Sequence, residues 1–159
     1  MKQQTLTIAQ IKAREKQSQA DRFVIPDALP TFRFDPHSAA IVIDIQVLPP
    51  SKNQYIRKHW ATQQKKWFRP WATMMALAYQ QAPEKMKVMG KVRVRIQLHF
   101  PDSRRRDPQN YTAFPPLMDV LVNLGIIQDD NSRVCRIEVP EPICDGTART
   151  VIAIERFEK

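Results

Sequence analysis

Glycine is nearly missing from this chain: three residues in 159, against thirteen prolines. So few glycines exclude a Gly-rich phosphate cradle and argue for stiff connections. No apolar run reaches about eighteen residues, so no transmembrane helix is expected. The N-terminus lacks the charged-then-apolar order of a secretory signal. Cysteine is scarce as well. Cys135 and Cys144 are too few for a disulfide framework or a zinc site, and read as reduced thiols of a cytoplasmic protein. A chain of 159 residues fits one domain and can bury a core that needs no covalent or metal staple.

What the chain has in excess is positive charge, +9 overall, and it is unevenly spread. Residues 1–51 carry six basic and five acidic side chains, net +1. Residues 52–106 carry fourteen and two, net +12, and residues 107–159 carry five and nine, net −4. So basic a middle third is an electrostatic footprint for nucleic acid. The alternatives are a solvated basic face without a partner, or a patch for acidic lipid.

Residues 1–38 read as an extension. Thr7 can cap a short helix from Ile8 to Lys16, too sparsely apolar to anchor itself, and Val24–Ser38 with Pro26, Pro30 and Pro36 reads as an extended linker. The remainder, 39–159, reads as the working domain. Ile41, Ile43, Ile45 and Val47 alternate in a strand over Ala40–Val47. A helix is expected over Gln63–Gln81, with Trp67, Trp71, Met74, Met75 and Ala78 as a core stripe and Pro70 as a kink or the true start. Lys91–Phe100 is the clearest strand, its valines, Ile96, Leu98 and Phe100 on one face and Arg93, Arg95, Gln97 and His99 on the other. Pro115-Pro116 interrupts any helix begun at Asp107, and a second start carries Leu117–Leu124 to a stop at Gly125. Arg133–Val139 and Thr147–Phe157 read as the arms of a β-hairpin around Asp145-Gly146.

The chemistry concentrates between Arg104 and Asp130. Three arginines (Arg104, Arg105, Arg106) run into Asp107-Pro108-Gln109-Asn110, and Asp129-Asp130 follows the next helix. Phosphodiester hydrolysis needs an in-line water and relief of charge on the departing oxygen, which Mg²⁺ or Mn²⁺ on carboxylates can provide. Asp107 and Asp130 flank one helix, so a chain reversal can bring them together as metal ligands. Asn110, one turn after Asp107, can hold a metal-bound water or orient Asp107. The bland alternative is that Asp107 only caps and Asp129-Asp130 is a solvated turn.

These segments resemble a family. Pro49 to Tyr55, then Pro101 to Asn110, then Asp119-Val120-Leu121, then Gly125 to Asp130 are similar, in order and spacing, to the RusA-type Holliday junction resolvases of bacteria and prophages, over roughly residues 43–157. The resemblance implies an α+β fold, a small antiparallel or mixed sheet flanked by helices, as an intertwined homodimer. It implies Mg²⁺- or Mn²⁺-dependent cutting of opposed strands of branched DNA in recombination and repair, and no membrane partner. Asp107, Asn110 and Asp130 match the family's acidic site. Arg104–Arg106 match its DNA-contacting basic run, and Pro50, Asn53 and Tyr55 match its N-terminal loop near the active site; Lys52, Asn53, Tyr55, Arg57 and Lys58 of that loop are read as further DNA-binding residues. Two positions depart from the pattern: Gln109 stands where a second Asp belongs, and Pro115 falls near the place of a lysine. A junction-binding protein with an impaired catalytic site is therefore the alternative.

Overall fold

A computed structural model of the protein describes residues 26, 28–51, 59–82, 86–107, 109–112 and 115–157. The helix expected at Ile8–Lys16 and the basic loop Lys52–Lys58 lie outside them. The elements in chain order are β1 (Thr31–Asp35), β2 (Ala40–Ile45), α1 (Trp60–Gln63), a π-helical turn (Gln64–Phe68), α2 (Arg69–Gln80), β3 (Val92–Phe100), α3 (Gln109–Thr112), α4 (Pro115–Asn123), β4 (Cys135–Ile137), β5 (Glu141–Cys144) and β6 (Arg149–Arg156). They form an α+β fold on one mixed sheet of order β1-β2-β6-β3-β4, with β5 also on β3.

The apolar periodicity explains the layers. Ile41, Ile43 and Ile45 of β2, alternate residues of β3 from Val92 to Phe100, and Ile152 and Ile154 of β6 point to one side and are buried. Against them lie Trp71, Met74, Met75 and Ala78 of α2 and Leu117, Met118, Val120 and Leu121 of α4, completed by Ile126 and Ile127. Each such aliphatic side chain contributes about 1.5–3 kcal/mol on burial. Thr150 is the polar exception on this face; its hydroxyl donates to the Val47 carbonyl at 2.8 Å, so it leaves no orphan in the core.

Pro70 lies within a continuous helical run. α1 and the π turn lead through Phe68, itself helical at φ −64° and ψ −55°, into regular α-helix at Arg69, so the proline falls where the wider turn gives way to α2. Helix α4 begins at Pro115, two residues before the expected Leu117, and closes as the sequence suggests. Gly125 has φ +69°, its N–H reaches the Val122 carbonyl at 2.9 Å, and the Ile126 N–H reaches Leu121 at 3.0 Å. This pair of bonds satisfies the last carbonyls and turns the chain sharply.

Two expectations are corrected. Thr31–Asp35, read from its flanking prolines as linker, is an edge strand in register with β2 (Phe32 opposite Ile43), with Phe32 buried. The hairpin at Arg133–Phe157 does not form. β6 pairs antiparallel with both β2 and β3, while β4 and β5 run parallel to β3 on its far edge. The long, two-sided β3 lies between the supposed arms. Asp145-Gly146 still turns the chain, with Gly146 at φ +84°, but into a different partner.

Candidate active site and nucleic-acid interface

The end of β3 sets the site. Asp102, just beyond it, accepts the Arg104 N–H at 3.0 Å and the Arg106 guanidinium at 2.6 Å. These two bonds, the backbone one first, hold the Asp102 carboxyl below the usual carboxylate range. Arg106 also donates to the carbonyls of Asp102 and Arg104, and its guanidinium lies 4.2 Å from the Phe100 ring centroid. The side chain is 19% exposed, whereas that of Arg104 is 85% exposed. The three arginines are thus unequal: Arg106 clamps the loop, and Arg104 and Arg105 project into solvent.

Asp107 follows the clamp. Its carbonyl accepts the Asn110 N–H at 3.0 Å, which starts α3. Arg105, Arg106, Asp107 and Asn110 wall one open cleft. Gln109 is the first residue of α3. Tyr111 packs on Phe100 with centroids 5.5 Å apart, joining α3 to the same strand end.

The second acidic group sits beyond α4. Asp129 accepts the Asn131 N–H at 3.1 Å and its side-chain amide at 2.6 Å, which lowers the Asp129 pKa. The Asn131 carbonyl in turn accepts Cys135 N–H at 2.8 Å. This turn fixes the exposed Asp130 between α4 and β4. Asp130 acts on two neighbours. Asp119, half-buried on α4, has its pKa raised by burial first and by the Asp130 charge second. Burial, then Asp130 and Asp129, pushes the Cys135 thiol up to about 11, which makes it unreactive at neutral pH.

A third group ties the sheet end. Asp145 accepts from the Thr147 hydroxyl and, at 2.6 Å, from Nδ1 of the buried His99. A carboxylate can only accept, so His99 carries a proton on Nδ1. Arg149 bridges onward to Asp44 at 3.2 Å. The Thr147 bond and then the His99 bond lower the Asp145 pKa from 3.8 to about 2. A depressed folded-state pKa means stability that is present above 3.8 and lost as pH falls towards 2. Thermal unfolding followed against pH should show this loss, and Asp145→Asn, less stable at neutral pH, should show less of it.

The family model for endodeoxyribonuclease RusA matches residues 44–155, from β2 to β6. The chain belongs to the RusA endodeoxyribonuclease family. No curated protein matches it. The matched span begins at Asp44, so the edge strand β1 and everything before it lie outside the RusA region.

Asp107, Asn110 and Gly125–Asp130 all fall within the matched span. Asp119 has no place in the site read from sequence; the signal was there, a lone carboxylate among Leu117, Val120, Leu121 and Leu124. Asp107 and Asn110 share one cleft and Asp119 feels the charge of Asp130; all four offer hard oxygens, the type Mg²⁺ and Mn²⁺ prefer. Burial raises the Asp119 pKa first, and the Asp130 charge adds to it, so the two carboxylates feel one another. Among the described residues no three His, Cys, Asp or Glu side chains form a metal cage. A cation here would need amide, water or phosphate oxygens as well.

Proposed function

We propose that the protein is a divalent-metal-dependent endonuclease that resolves four-way DNA junctions in the cytoplasm, acting as a homodimer. The observation that carries this reading is the cleft in which Asp107 and Asn110 open beside Arg105, within a chain of the RusA family. Arg104 and Arg105, with Lys52, Asn53, Tyr55, Arg57 and Lys58, hold the DNA backbone. Arg106 holds the loop that presents them. Asp107 and Asp130 are the ligands for Mg²⁺ or Mn²⁺, and Asn110 orients Asp107. When bound, the cation supplies charge relief on the departing oxygen and a more acidic attacking water. A two-fold dimer suits a substrate with near two-fold symmetry, because each copy meets one of two opposed strands.

Incubation of a synthetic four-way junction with the protein and Mg²⁺ or Mn²⁺ should yield paired nicks in opposed strands, with linear duplex of the same sequence left intact. Equal cutting of both substrates would remove the junction claim. A second reading, a binding protein with an impaired site, is favoured by Gln109, an amide where the family carries a carboxylate. It expects junction binding with no cleavage at any metal concentration. Gln109→Asp separates the two. If a missing charge limits the reaction, that variant should cleave about tenfold faster and at lower metal concentration; an unchanged rate would show that Gln109 is not limiting.

A further inference from the structure

A second cationic cleft opens on the other side of the Asp130 turn. Lys91, Ser132, Arg133, Cys135, Arg136 and Phe157 are among its walls. Lys91, Arg133 and Arg136 are exposed, and none of the three has a carboxylate partner among the described residues. Arg136 sits in register beside Arg93 on the neighbouring strand, a like-charge pair that disfavours the sheet. Arg93 is compensated by Glu138 at 3.5 Å and Glu155 at 3.4 Å; among the described residues Arg136 has no such carboxylate. Uncompensated charge fixed on a strand calls for an anion from outside the chain.

The location says which anion. The turn that carries Asp130 also carries Arg133, whose N–H is held by the Asn131 side-chain carbonyl at 3.0 Å. Cys135, which feels the charges of Asp129 and Asp130, is one wall of the cleft. The cleft therefore begins where the acidic site ends. We infer that it is a second backbone-binding track, in which Lys91, Arg133 and Arg136 take the phosphates of a DNA arm running on from the bond to be cut. The inference rests on the endonuclease reading above.

The test compares the full-length chain with the single and triple variants Lys91→Gln, Arg133→Gln and Arg136→Gln. A labelled synthetic four-way junction is titrated in metal-free buffer at several salt concentrations. Each lost contact should flatten the slope of log affinity against log salt by about 0.9 and weaken binding roughly fivefold to tenfold near 0.1 M salt. Cleavage at sub-saturating junction should fall in step with the affinity. Arg33→Gln, on β1 three strands away, should leave the slope alone, and unchanged melting curves should confirm that the variants fold. A triple variant that keeps the affinity and slope of the unaltered protein overturns the second track and leaves the endonuclease reading standing. Failure of the unaltered protein to bind any branched DNA overturns both.

Discussion

Asp130→Asn should abolish strand cleavage, lowering the rate at saturating junction and metal by about a thousandfold or more. Junction affinity should hold or rise slightly, since a negative charge near the phosphates has been removed. The amide keeps the shape of the side chain, so the turn that bears it should survive. Asp107→Asn should behave in the same way. The neighbour Asp129 supplies the contrast. Its carboxylate already accepts both the backbone and the side-chain donors of Asn131. Asp129→Asn should therefore loosen the turn and lower the melting temperature more than it lowers the rate. Cleavage by Asp130→Asn within tenfold of the unaltered enzyme would sink the assignment of Asp130, and Asp129 would be the next group to test.

The largest effect on stability is expected at Trp71. It is fully buried in the face of α2 that packs on the sheet. Trp71→Ala removes most of a large ring and leaves a cavity that the surrounding strands cannot close. Such a change costs about 3–5 kcal/mol, against a net stability on the order of 5–15 kcal/mol for a typical domain. Urea unfolding should show the midpoint falling sharply, and the soluble yield should drop with it. Trp71→Phe, which keeps an aromatic ring in place, should cost far less. A loss below about 1 kcal/mol for the alanine variant would mean that α2 is not the lid of this core.

Much of this arrangement can be read from residue order alone. The alternation in β2 and β3, the Trp-Met stripe of α2 and the Gly125 stop are local signals, and local physics decides them. Pairing is different. Nothing between Arg133 and Phe157 tells that β3, some sixty residues earlier for the Arg93–Glu155 contact, lies between the two supposed hairpin arms. The Asp145-Gly146 turn signal was sound; the strand it leads to was not fixed by it. β1 was hidden because Pro30 and Pro36 outweigh the short run between them. At the site, charge and spacing drew attention to Asp107, Asn110 and Asp130. They could not separate Arg106 from its two neighbours, because the clamp depends on Asp102 and Phe100 meeting it in space. Asp119, part of a family-like segment, was given no place among the site residues, because its burial and the charge of Asp130, eleven positions on, appear only in the fold.

β6 is the strand that joins the two halves of the sheet. Among the described strands it alone bridges β2 to β3, and it comes after them in chain order. A nascent chain that has not yet released Arg149–Arg156 from the ribosome holds its arginine loop and its acidic turn on separate, unsealed pieces. Long-range closure of this kind is slow compared with helix formation. The sheet that supports the candidate site is therefore closed only when Arg149–Arg156 has joined it, and shorter lengths of chain keep the arginine loop and the acidic turn unjoined.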